Sequence, residues 1–144
     1  MYKIINFFIA CLLFVSCNST SKNEKANDEG LVMYQPSEMT LLMRRMYEAN
    51  KVVKTQIINK DTLMSFPEEF STIHSAVLSD PSERDAEFDS LAKQYVNYQK
   101  LIFSSNLDST AYHFNRSVNT CISCHETRCT GPIPKIKKLL IYSY

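Results

Sequence analysis

Cys121-Ile122-Ser123-Cys124-His125 is the stretch of this chain whose residue types and spacing carry the clearest chemistry. Its C-x-x-C-H form is that of a covalent attachment site for a c-type haem. On a helix the two thiols fall at i and i+3 on one face, where each can add across one of two vinyl groups along a porphyrin edge. His125 follows directly and can turn its imidazole to the iron as the proximal ligand. The pattern therefore predicts one haem c, bound covalently by Cys121 and Cys124 and ligated by His125. Two other uses of the same side chains compete with it. A Cys121–Cys124 disulfide would close a very short ring and leave His125 without a role. A zinc ion would recruit Cys129 as a fourth ligand, but adjacent Cys124 and His125 rarely both reach one tetrahedral metal, and no second C-x-x-C knuckle is present.

The elements that must position this stretch are expected to be helices. Two Gly and five Pro in 144 residues, with Leu, Met, Lys, Glu and Gln spread through the middle, favour long helices over turn-rich β structure, and the length suits one domain. A net charge of +1 argues against nucleic acid as a partner. Ser37 is a suitable N-cap, and Leu42, Met46, Ala49, Val53 and Ile57 recur at helical spacing, predicting a first helix over Ser37–Asn59. Met39, Met43 and Met46 form a thioether stripe along its first half, usable as core filler or as an iron ligand. Pro67 followed by two acids, with Phe66, Phe70, Ile73 and Val77 at spacings of four, three and four, predicts a second helix over Pro67–Leu78, on which His74 is a weaker iron-ligand candidate. Asp80-Pro81 starts a third, running to Ser104 with Phe88, Leu91, Tyr95, Tyr98 and Ile102 on one side. Tyr95 and Tyr98 are core aromatics that could also pack on a porphyrin or bond a propionate. Asp108-Ser109-Thr110 caps the last helix, which aligns Phe114, Val118, Cys121, Ile122 and His125 and closes at Gly131-Pro132. The tail from Pro132 alternates apolar and basic residues and is expected to pack back on the bundle.

The other end of the chain agrees with the haem motif. Lys3, an apolar run from Ile4 to Val15 and a small residue before Cys17 read as an export signal over residues 1–16, too short to span a bilayer as a mature helix. Leu13-Phe14-Val15-Ser16-Cys17 resembles the lipobox of bacterial lipoproteins, with Phe14 where Leu is usual, and this implies that Cys17 becomes a lipidated N-terminus. Residues 17–36 are polar with little to bury and read as a flexible tether between lipid and domain. Residues 37–144 then form the haem domain with its basic tail. Export suits the motif, because c-type attachment in bacteria takes place outside the cytoplasmic membrane. The expected location is the cell envelope of a Gram-negative bacterium, periplasmic or outer-membrane anchored.

Four capped helices with C-x-x-C-H on the last resemble the cytochrome c prime family over about Ser37–Cys129, an antiparallel four-helix-bundle fold. The resemblance implies haem bound by the C-terminal helix and a sixth-side residue from the first half of the first helix, here Met43 or Met46. It departs where the family usually has an aromatic and then a basic residue after the haem His; this chain has Arg128 and Cys129. Arg128 is kept as a haem contact, and a basic rim after Glu126 could steer an acidic redox partner. The expected function is a membrane-tethered electron carrier with His/Met-ligated iron and no enzymatic activity, acting with a redox partner protein and able to pair as a homodimer. The alternative is a five-coordinate haem protein that binds NO or CO.

Overall fold

The computed structural model describes residues 34–142, so the expected signal sequence, the expected lipidation at Cys17 and most of the expected tether lie outside the described residues. Among the described residues every regular element is helical and there is no strand. No described helix is long and apolar enough to cross a membrane. Helix α1, Glu38–Asn59, starts at Ser37, whose side-chain oxygen accepts the Thr40 N–H. Met39, Leu42, Met46, Asn50 and Val53 form its buried stripe, at the spacing of one helical face. It stops at Lys60, which adopts the left-handed conformation (φ 59°) of a helix C-terminus.

The second expected helix is corrected. Residues Glu68–His74 form a 3₁₀ helix, not an α-helix reaching Leu78. A three-residue repeat suffices to bury Phe70 and Ile73 together, whereas Val77, the next position of the expected α pattern, is 57% exposed. The backbone beyond His74 is used elsewhere: the Val77 carbonyl accepts the Met39 N–H at 3.0 Å, and the Val77 N–H donates to a Glu38 carboxylate oxygen at 3.0 Å. This segment therefore satisfies a free N–H at the start of α1 in place of continuing its own helix.

The third expected helix is split near its start. Asp80 caps a single 3₁₀ turn, Pro81–Glu83, and a new cap at Asp85 opens α2, Ala86–Ser104. Arg84 fixes the break by donating to the carbonyls of His74 and Ala76 at 2.7 and 2.6 Å. Helix α3, Leu107–Thr127, begins at Asn106 and not at Asp108-Ser109-Thr110, and it ends before Gly131 is reached. After it come the one-turn helix α4, Ile133–Ile136, and a 3₁₀ turn, Lys137–Leu139.

Helices α2 and α3 pack backbone to backbone along their length, while α1 stands further off and meets them through side chains. Two apolar clusters result. One joins Met39, Leu42 and Met46 of α1 to Phe70, Ile73, Phe88 and Tyr95. The other is centred on Ile102, Phe114 and Val118 and is closed by Ile136 and Leu139 of the tail. Lys54 donates to the carbonyls of Lys138 and Leu140, and the Asn115 amide bonds Ile141 in both directions, so the tail is tied to the helices as its alternation suggested.

Candidate haem attachment cleft

Phe114, Val118 and Ile122 hold α3 to the core at four-residue intervals, and this rotation sets Cys121, Cys124 and His125 along one side of its last two turns. All three border an almost wholly apolar, partly open cleft with a cavity volume of about 30 Å³. Met43 and Met46 of α1 and Tyr95 of α2 line the same cleft. Cys121, Cys124, His125, Met43, Met46 and Tyr95, six of the residues proposed from sequence as haem contacts or ligands, therefore meet in one place, although they come from three helices. Ile73, Phe88 and Leu91 complete the walls. The separation of α1 from the α2–α3 pair is what leaves this space.

The His125 imidazole is held by the backbone just after its own helix. His125 Nδ1 lies 2.9 Å from the Cys129 carbonyl oxygen, and the Cys129 N–H bonds back to the His125 carbonyl at 3.1 Å. A carbonyl can only accept, so Nδ1 carries the proton and Nε2 keeps its lone pair. Such a bond fixes the tautomer and raises ligand basicity. Cys129 thus acts through its backbone, while its thiol is exposed and free.

The two motif thiols differ from an ordinary cysteine. Cys121 keeps some exposed surface, yet its sulfur sits among apolar neighbours, and burial pushes its pKa up to about 12, with the adjacent Cys124 adding to the rise. Burial also raises the Cys124 pKa, opposed by the Arg128 guanidinium beside it. Both thiols are protonated at neutral pH, and neither is in a disulfide.

Arg128 is not a wall of the cleft. Its side chain is 11% exposed; one guanidinium nitrogen donates to Asp85 and Glu87 at 2.8 and 3.2 Å, and another to the Glu83 carbonyl at 3.1 Å. The Arg128 partners are therefore acids at the start of α2. Tyr98, the other aromatic candidate, accepts from Arg116 and also lies outside the cleft. His74 is exposed at the end of its 3₁₀ helix, and Met39 is buried in the core beside the cleft.

Tyr95 is 3% exposed, and its hydroxyl oxygen accepts from the Asn50 amide at 3.2 Å. Burial raises its pKa well above the usual tyrosine value, with a further contribution from Cys121 nearby, so the phenol stays neutral. Behind it lies a buried polar group of Asn50, Gln99 and Ser117 that the sequence reading missed. The available signal was a polar residue falling on an apolar stripe, as Asn50 does four residues after Met46.

Whether these residues suit a c-type haem turns on their donor chemistry. Two thiols one turn apart, an imidazole with Nε2 free and two thioethers from another helix share one apolar cleft, and that set fits the group. The cavity volume of about 30 Å³ is far below the roughly 300–1,000 Å³ of a cofactor site, so α1, joined to its neighbours through adaptable Met side chains, is the element that would have to move for a haem to enter. Among the described residues no three His, Cys, Asp or Glu side chains converge in a metal-binding cluster, so Cys121, Cys124, His125 and Cys129 do not present a closed zinc site. Neither a family model nor a curated protein nor a solved structure matches this sequence.

Proposed function

We propose that this chain is a monohaem c-type cytochrome, an electron carrier tethered to the membrane by an N-terminal lipid. The observation that supports it is the meeting of Cys121, Cys124 and His125 with Met43 and Met46 in one apolar cleft. Such a haem supplies a one-electron ferric/ferrous couple. The chain's own residues would attach and tune it. Cys121 and Cys124 would hold the haem through thioether bonds, each thiol supplying the sulfur and the hydrogen that a vinyl group would take up. Nε2 of His125, held in register by the Cys129 carbonyl, would ligate the iron, and a thioether of Met46 or Met43 would be the second protein ligand. Phe88, Leu91 and Ile73 would keep water from a bound iron and limit solvent reorganisation when its charge changes.

On this reading the fold is a variant of the four-helix haem bundle in which the 3₁₀ helix Glu68–His74 replaces the second helix. The partner is a redox protein, and a homodimer is compatible with the resemblance. A second reading, a five-coordinate haem that binds NO or CO, is favoured by the aliphatic and aromatic walls, which offer no ligand apart from the two Met. The visible spectrum separates the two. Met ligation gives sharp low-spin bands in the reduced protein and the weak red-end band of Met sulfur on ferric haem. High-spin spectra that change at once on adding CO would remove the carrier reading.

A further inference from the structure

The basic residues that follow the haem motif in sequence separate in the fold. Arg128 is taken up by Asp85 and Glu87 at the start of α2. The tail lysines gather instead beside the middle of α1. Lys135 Nζ lies 4.2 Å from the centre of the Tyr47 ring, and Lys51 Nζ lies 5.9 Å from the same centre. Lys54 Nζ donates to the carbonyls of Lys138 and Leu140 at 2.9 Å each. Ile136 and Leu139 are buried in the core, which leaves Lys135, Lys137 and Lys138 exposed on the outer side of the tail. Two lysines of α1 and three of the tail therefore share one face.

Little on this face offsets their charge. The contacts that place these lysines are made to a ring and to carbonyls, and neither cancels an ammonium charge. Glu48, 2.7 Å from Lys51, is the one carboxylate paired with any of the five among the described residues, and no acid follows Glu126 in the chain. The full sequence has only one more base than acid, so the excess belongs to this face and not to the molecule as a whole. Clustered lysines of this kind are attracted to the surface of an anionic bilayer. None of the five borders the cleft, where a redox partner would have to approach the cofactor, so the face is open to a different occupant. Resting on the membrane-tethered reading above, we infer that Lys51, Lys54, Lys135, Lys137 and Lys138 form the face that this chain lays on the anionic phospholipid headgroups of the membrane holding its N-terminal lipid. The tether supplies the high local concentration that a weak electrostatic contact needs.

The test separates the lipid from the lysines. The intact mass of the full chain purified from the cell envelope shows whether Cys17 carries acyl chains; without them the tethered reading falls, and this inference falls with it. The second arm uses the full mature chain, residues 17–144 with Cys17→Ser, exported behind a cleavable signal so that maturation is unchanged and no lipid is added. Its sedimentation with vesicles of phosphatidylcholine is compared with that on vesicles of phosphatidylcholine and phosphatidylglycerol mixed two to one. Binding is expected to the anionic vesicles only and should weaken as salt is added. It should drop about 100-fold in the triple variant Lys135→Gln, Lys137→Gln, Lys138→Gln, at about fivefold for each lysine neutralised. Lys93→Gln on α2, outside this face, should leave it unchanged. Equal sedimentation with both vesicles, anionic binding that the triple variant keeps, or a fivefold loss in Lys93→Gln overturns the inference and leaves the lipid and haem readings standing. Retention on polyglutamate without binding to the anionic vesicles assigns the face to an acidic protein and overturns it as well.

Discussion

Reactivity of Cys121 in the haem-free chain is the prediction most tightly set by the structure. The perturbation is alkylation with iodoacetamide at pH 8. With its pKa pushed up to about 12, Cys121 is about 0.0001 thiolate at that pH. An ordinary thiol of pKa about 8.5 is roughly 0.24 thiolate, about 2,400-fold more. A more basic thiolate is intrinsically more nucleophilic; a Brønsted slope of 0.4–0.5 over about 3.5 pKa units returns roughly 25- to 56-fold. The net expectation is that Cys121 reacts about 40- to 100-fold more slowly in the folded chain than in the same chain unfolded in guanidinium, before any added steric shielding. Peptide mass spectrometry over a time course gives the rate at each cysteine, and exposed Cys129 reports whether reagent access is normal. A folded-state Cys121 rate within about fivefold of the unfolded one would refute the burial of its sulfur.

The same thiol sets an alkaline limit on stability. Above about pH 8.5 the unfolded chain loses the Cys121 proton while the folded chain keeps it, so the haem-free protein should lose about 1.4 kcal/mol per pH unit until the folded pKa is reached; urea melts at pH 8 and 9.5 measure this, and Cys121→Ser should flatten it. Phe114, fully buried at the centre of the second cluster, should cost about 3–5 kcal/mol on replacement by Ala, read as a lower urea midpoint with an unchanged slope. Lys60→Gly should stabilise by up to about 1 kcal/mol, because Lys60 holds a left-handed conformation that glycine adopts without strain; a lower melting temperature would contradict this.

The long helices were legible because their signals are local. Ser37 caps α1, and its Leu42–Met46–Val53 stripe is buried as the spacing required. The second element was not legible, since Phe66, Phe70, Ile73 and Val77 satisfy an α pattern on paper. What decides against the helix is a long-range competition: α1 needs a partner for the Met39 N–H, and Val77 provides it. The break at Arg84 has the same cause, a side chain reaching back to the carbonyls of His74 and Ala76. At the cleft, Cys121, Cys124 and His125 were set by adjacency on one helix, and Met43 and Met46 by a stripe on another. Arg128, expected from sequence near the cofactor because it follows the motif, sits beside Cys124, and its hydrogen bonds to three acceptors at the start of α2 were not legible because they come from distant sequence. Asn50, Gln99 and Ser117 were hidden because each is an unremarkable helix residue until its buried partners are known.

The haem itself can be tested on a denaturing gel. The full chain is expressed in cells with a c-type maturation system, beside a control cytochrome, then stained for haem and weighed intact. A haem signal that survives denaturation, a mass increased by one haem, and loss of both in Cys121→Ala with Cys124→Ala are expected. A chain that emerges without haem from cells in which the control is fully loaded would contradict the assignment of Cys121, Cys124 and His125.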